Sequence, residues 1–379
     1  MKLPPPFSDA FRAATWRMVA RVLLKATLIF LLLNLLFAWI FPMEALGRVS
    51  LYNHLWAGRL RLPYGEDPAK DYNLSLYNIP AMFHSHVLMQ PKADDEFRVL
   101  VIGDSATWGW FLQNKDTLSG RLNAGAYRTE DGKRLVFYNL GYPVMSLTKD
   151  IVLLDEAMHY QPDMVLWPVT LASFASSRQL AHPLLTHNLG RAHQHNMPPD
   201  DERLPKPTLF ARSIIGQRRE LADLMRLQTL GLAWTATGID QHIPATIPLR
   251  KTDLADDRSW ETLAKPATLD DELLAMDVLA AGVARAGDIP VLIVNEPMFI
   301  SDGANSDIRY NSFYPRWAYD QYRALLAQEA QANGWDYLDL WDSIPPEEFT
   351  DTPVHLTPAG EQMLADILGP EVTRRAGRE

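Results

Sequence analysis

Phe97–Gly109 reads FRVLVIGDSATWG. Its first half, FRVLVIG (Phe97–Gly103), is the kind of apolar run found in a strand covered on both faces. GDSATWG then turns the chain towards a helix predicted in FLQNKDTLSGRLNAG (Phe111–Gly125). A tight turn from strand to helix lifts the Ser105 hydroxyl clear of the sheet. It also leaves backbone N–H groups at the helix start free to hold an anion. The plainer reading makes Ser105 only a helix cap. Position favours chemistry, because reactions collect at the carboxyl ends of parallel strands.

The same alternation continues outward. RLVFYNLG (Arg134–Gly141), PDMVLWPVT (Pro162–Thr170), IPVLIVNEP (Ile289–Pro297) and WDYLDLW (Trp335–Trp341) read as further strands. Helical spacing separates them in LTKDIVLLDEAMHY (Leu147–Tyr160), in LDDELLAMDVLAAGVARAG up to Gly287, and in Arg316–Gly334, which ends on Asn-Gly. Strands and helices in this order predict right-handed βαβ crossovers, and so an α/β domain with a parallel sheet between two helical layers. We place that domain at 96–379. Residues 174–268 form an insertion that a minimal sheet does not need: loop over 174–209, helix over 210–237, loop over 240–268. It reads equally as a cap over the site or as a helix covering a sheet edge.

The amino terminus carries a different signal. Val19–Phe41 is VARVLLKATLIFLLLNLLFAWIF, 23 residues with one charge. At about 1.5 Å per residue it spans roughly 34 Å, enough for a bilayer core of about 30 Å. Lys2, Arg12, Arg17, Arg21 and Lys25 oppose the single acid Asp9. The positive-inside bias then puts 1–18 in the cytoplasm, 19–41 across the membrane and the rest outside. The apolar stretch is long for a signal peptide, and FAWIFPMEAL offers no small-x-small cleavage site. Residues 42–95 lack strong periodicity and read as a juxtamembrane segment.

Composition narrows the chemistry. The formal net charge is -10 with no basic stripe, which disfavours nucleic acid. The chain has no cysteine, so thiol nucleophiles and Cys-ligated metals are excluded. No cofactor motif or Walker loop appears. Of ten histidines, His355 lies in FTDTPVHLTPAGEQMLADIL, a loop feeding an amphipathic helix beyond the last strand. His182, His187, His193 and His195 cluster in the insertion without a ligand spacing or a carboxylate set, so no metal site is expected there. His84 and His86 precede the α/β domain, and His54, His159 and His242 have no supporting context.

GDSATWG resembles the first conserved block of SGNH/GDSL hydrolases, YNLGYPVMS the second and DTPVHLTPAG the last. The resemblance covers 97–367 apart from the insertion and implies a flavodoxin-like three-layer αβα fold. It implies Ser105 as nucleophile, His355 as base, Asp351 as the acid, and the Ser105 and Gly141 N–H groups as an oxyanion hole. The anchored layout is similar to DltD-like and alginate-acetylation relatives, which act on envelope polymers. Two departures stand out. WPVTLASF lacks the family's third-block asparagine, leaving Thr170, Ser173 or Asn295 as substitutes. The acid stands four residues before His355 instead of three, with Thr352 at the usual place and Asp342 and Glu296 as competitors. The resemblance implies a membrane-anchored serine esterase or O-acyltransferase acting on an acylated glycan, with a membrane-bound acyltransferase as a possible partner. The alternative is a non-catalytic envelope scaffold that binds glycan or that partner.

Overall fold

The computed structural model describes residues 16–49, 58–65, 74–188, 191 and 208–377. Lys2, Asp9, Arg12, His54, His193 and His195 lie outside the described residues, as does most of the stretch read as cytoplasmic. Helix α1 (Trp16–Ile40) opens the chain. Within it Met18–Ile40 is long and apolar enough to cross a membrane, and most of its surface is uncovered by the rest of the chain.

The apolar runs become five strands: β1 (Glu96–Gly103), β2 (Arg134–Gly141), β3 (Met164–Val169), β4 (Val291–Asn295) and β5 (Asp336–Asp339). They pair in parallel in the order β2-β1-β3-β4-β5, the flavodoxin-like order. Side chains alternate across the sheet with period two. Leu100, Ile102, Tyr138, Leu140, Val165, Trp167 and Ile293 face one hydrophobic layer. Val99, Val101, Phe137, Leu166, Leu292 and Val294 face the other. That double burial is why these segments read as unbroken apolar runs.

Five helices matter for the site. α2 (Ser105–Trp108) and α3 (Leu118–Ala124) follow β1, and α4 (Leu147–Ala157) follows β2. In the insertion, α5 (Leu209–Arg212) and α6 (Arg218–Thr237) replace the single helix expected over 210–237. The break falls at Ser213–Gln217, where the Ser213 hydroxyl accepts the Gly216 N–H at 3.2 Å and competes with a continuous ladder. Three longer helices follow, α7 (Met276–Ala286), α8 (Arg316–Asn333) and α9 (Pro358–Ala376). α7 starts later than the sequence suggests, because the Asp270 carboxylate accepts the Glu272 and Leu273 N–H groups in a turn. Likewise Phe111–Gly125 is helical only from Leu118, after a 3-10 turn at Asn114–Asp116.

The largest difference from the sequence reading lies in 42–95. Leu62, Leu76, Ile79, Met82, Phe83 and Leu88 are fully buried in the larger core layer, together with Arg59, Arg61 and His86. The described part of this segment is structural and wraps the sheet. It lacks periodicity because it packs as turns and short helices such as Ile79–His84.

Candidate active site

The strand order reverses between β1 and β3, which opens a crevice at the carboxyl ends of the strands. Ser105 sits there, half-buried, as the first residue of α2. Asp104 caps that helix, its Oδ1 accepting the Ala106 N–H at 2.8 Å. The helix lasts one turn because Gly109 takes a left-handed φ of 91°. A Cβ there would also meet Thr117 Cγ2 at 2.3 Å, so only glycine fits.

Opposite stands a loop closed by an antiparallel bridge between Phe349 and Leu356. It carries both other members of the expected triad. His355 Nε2 lies 2.8 Å from Ser105 Oγ, and His355 Nδ1 lies 2.9 Å from Asp351 Oδ1. A carboxylate only accepts, so Nδ1 carries the proton and Nε2 is left to accept the serine O–H. Burial pushes the Asp351 carboxyl up. The hydrogen bond and charge of His355 and the Thr350 hydroxyl outweigh it, holding the group below the usual aspartate value. Asp351 can stand four residues back because Thr352 is spent on the turn itself, its Oγ1 accepting the His355 N–H at 3.2 Å. The Trp110 ring stacks on the imidazole, 5.9 Å between centroids and 25° from parallel.

The other candidates fall elsewhere. Asp342 is exposed. Glu296 is buried under α2, beside a cavity of about 20 Å³ that Thr107 and Glu361 also line. The Gly141 N–H is taken by Asn139 Oδ1 at 3.1 Å. The bare Gly141 Cα lets α2 approach, since a Cβ would lie 2.4 Å from the Trp108 nitrogen. Gly141 is thus a packing position under α2. The Asn295 amide donates to Asp339 Oδ1 at 2.8 Å, and its oxygen accepts from Tyr319 and Tyr322. It is fully buried and points towards α8 and β5, away from the role the sequence suggested. Thr170 is also fully buried and donates to the Tyr314 hydroxyl at 3.1 Å. Ser173 is buried as well. Among the expected oxyanion donors, the Ser105 N–H remains, in a first helical turn whose amides lack intrahelical partners.

Several residues that the sequence did not single out hold this site in place. Asn139 Nδ2 donates to Thr107 O at 2.9 Å, fastening α2 to β2. Arg61 Nη1 donates to Gly109 O at 2.9 Å while its Nε donates to Asp240 Oδ2 at 3.0 Å, tying the end of α2 to the insertion. Lys149 is fully buried and donates to Gly103 O at 2.8 Å and Tyr142 O at 2.6 Å. Asp150 Oδ1, its counter-ion, lies 2.8 Å away. Lys149 therefore straps the strand end that leads into Ser105 to the loop after β2. His182 Nε2 clamps the same loop by donating to Pro143 O at 2.9 Å, while its Nδ1 accepts the Leu184 N–H. Directly after these two carbonyls Val144 has a φ of 76°, costly for a β-branched residue. Among the described residues no group of His, Asp and Glu has a metal-binding arrangement.

Burial sets the pH dependence of stability. His182 is lowered to about 4 by burial and then by the Lys149 charge, and His86 to about 4 by burial. Between pH 6.5 and 4 the unfolded chain binds these protons more readily. Their contribution is full above pH 6.5 and is lost as pH falls towards 4. Burial pushes Glu361 up to about 8, and pushes Glu296 well above its usual range with help from Asp104 and Glu361. Their contribution is full below pH 4.5 and is lost as pH rises through 8. The melting temperature is expected to fall on both sides of a plateau between pH 4.5 and 6.5. Glu361→Gln should raise it at pH 8 and change it little at pH 5. Calorimetry of both proteins checks this, and an equal shift at the two pH values would contradict it.

No protein-family model and no curated protein matches the sequence. Among solved structures, the chain is similar to one described as a lipolytic protein of the G-D-S-L family from Desulfitobacterium hafniense. That match has 10% identity, 72% of this chain and 98% of that chain covered, and a TM-score of 0.35. An inhibitor-bound aryl esterase from M. smegmatis gives 12%, 73%, 98% and 0.35. A carbohydrate acetylesterase from Sinorhizobium meliloti gives 12%, 73%, 99% and 0.33. Likenesses this distant decide nothing about the chemistry, which rests on this chain's own geometry.

Proposed function

We propose that this chain is a serine esterase or O-acyltransferase that acts on an acyl ester of a cell-envelope or secreted glycan. The observation that carries the reading is the continuous hydrogen-bonded line Ser105–His355–Asp351 at a strand-end crevice. Ser105 Oγ attacks the ester carbonyl as His355 Nε2 takes its proton. Asp351 holds the ring in the tautomer that leaves Nε2 free and stabilises the imidazolium. The Ser105 N–H faces the developing oxyanion, an interaction worth about 3 kcal/mol per donor in such sites. The intermediate collapses, the C–O bond to the leaving alcohol breaks, and His355 returns the proton to that oxygen. Water or a sugar hydroxyl then gives its proton to His355 and attacks the acyl-enzyme; the bond to Ser105 Oγ breaks and His355 returns the proton to that oxygen.

In this reading α1 crosses the membrane once, with the α/β domain on the extracytoplasmic side, close to a membrane-bound acyl donor enzyme. The acceptor is tested with a small aryl acetate, with and without an envelope polysaccharide. Aryl alcohol release that rises with polysaccharide, with acetyl recovered on the polymer, marks a transferase. Release indifferent to it marks an esterase.

One observation favours a second reading, a scaffold that binds glycan without turnover. The side chains expected to complete the oxyanion hole, Asn295 and Thr170, are both committed elsewhere. Absence of turnover with every acyl donor would support it.

A further inference from the structure

We infer that Leu209–Gly216 is a second membrane contact, a short hook that lies in the lipid interface beside α1. The inference rests on the reading of α1 as a membrane span.

Asn34 lies within the apolar span yet is 7% exposed. Its Nδ2 donates to Phe30 O at 2.9 Å, and its Oδ1 accepts the Ile215 N–H at 3.2 Å. Ala38, one turn further on, is also covered, and the Arg212 guanidinium lies 4.9 Å from the centre of the Phe41 ring. The hook therefore packs along the last turns of α1. Asn34 lies seven residues before Phe41, about 10 Å along a helix. Interfacial segments sit about 5–10 Å into the headgroup and acyl boundary, so the depths agree.

The alternative places the bilayer boundary at Asn34 and lifts the hook into water. That would leave Met18–Leu33, about 24 Å of helix, to cross a hydrocarbon layer of about 30 Å. It would also set Leu35, Leu36, Trp39 and Ile40 in water, and all four have exposed side chains. Leu209 and Phe210, each 65% exposed, would be in water too. Immersion resolves all of these together. Arg218 and Arg219 are exposed just after the hook, where guanidinium groups can pair with lipid phosphates. α6 then runs from the hook to the turn that presents Asp240 to Arg61, so the lipid contact is joined by one helix to the residue that holds Gly109.

The chain has no cysteine, so single-cysteine spin labels are unique. The full chain would be labelled at Leu209→Cys and, separately, Phe210→Cys, in nanodiscs of phosphatidylcholine and phosphatidylglycerol. Leu31→Cys in α1 is the lipid reference and Ala327→Cys on α8 the water reference. Accessibility is read from power saturation with oxygen and with a neutral nickel chelate. Both hook labels are expected to fall between Leu31, near the middle of the bilayer, and Ala327, with an oxygen-to-nickel ratio several-fold above that of Ala327. Hook labels that match Ala327 while Leu31 stays shielded would overturn the hook alone. Nickel access at Leu31 as well would overturn the span, and the hook with it.

Discussion

Ser105→Ala and His355→Ala are each expected to lower ester turnover by about 10⁴-fold or more, and the double variant by no more than either single one. The non-additivity follows from geometry. Ser105 Oγ is nucleophilic only while His355 Nε2, 2.8 Å away, can take its proton. Removing either partner removes the whole step. Asp351→Asn should cost less, because Asp351 orients and stabilises the base without forming a bond to the acyl group. The loss should be catalytic and not structural. Ser105 is half-buried and its side chain covers little apolar area, so the alanine variant should melt within a few degrees of the parent. Wild-type turnover in Ser105→Ala would end the serine-enzyme reading.

Lys149→Met is expected to destabilise the fold by about 3–5 kcal/mol, the usual consequence of leaving one half of a buried ion pair alone. Asp150 would lose its counter-ion in a place where burial already pushes its carboxyl up against the Lys149 charge. The Gly103 and Tyr142 carbonyls would lose their donor at the same time. Lys149→Met with Asp150→Asn should recover part of the loss, because the amide keeps an oxygen for the Trp167 N–H and carries no charge. The folded fraction should show reduced kcat with a smaller change in KM, since the strap positions the nucleophile turn and does not touch substrate. Urea unfolding and steady-state kinetics of the parent and the two variants check this. A single variant within about 1 kcal/mol of the parent would show that the strap is dispensable.

The fold was readable where burial on both faces left its mark. Strands such as Val99–Ile102 and Val291–Val294 have little room for polar residues, so their apolar runs announce them. Segments held by irregular packing were not readable, and Arg59–Leu62 looked like spacer although it covers α2. The three side chains that the structure joins, Ser105, His355 and Asp351, were readable because each lies in a short local motif. The acid's position also depended on the Phe349–Leu356 bridge, which no spacing rule supplies. Donor groups were the failure. Asn295 stands at the end of a strand facing the crevice, and only the packing of Tyr319, Tyr322 and Asp339 shows its amide turned away. Lys149 reads as a solvated charge in LTKDIVLLDEA, and its burial follows from the close pass of β1 and the loop after β2.

The most direct test of the central claim is covalent labelling of the full chain, in detergent or nanodiscs, by a fluorophosphonate. The phosphorus accepts only a serine whose proton a neighbouring base can remove, and fluoride leaves. The account predicts one labelled site, the peptide containing Ser105, lost in both Ser105→Ala and His355→Ala. A wild-type chain that stays unlabelled, or labels at a residue other than Ser105, would contradict it.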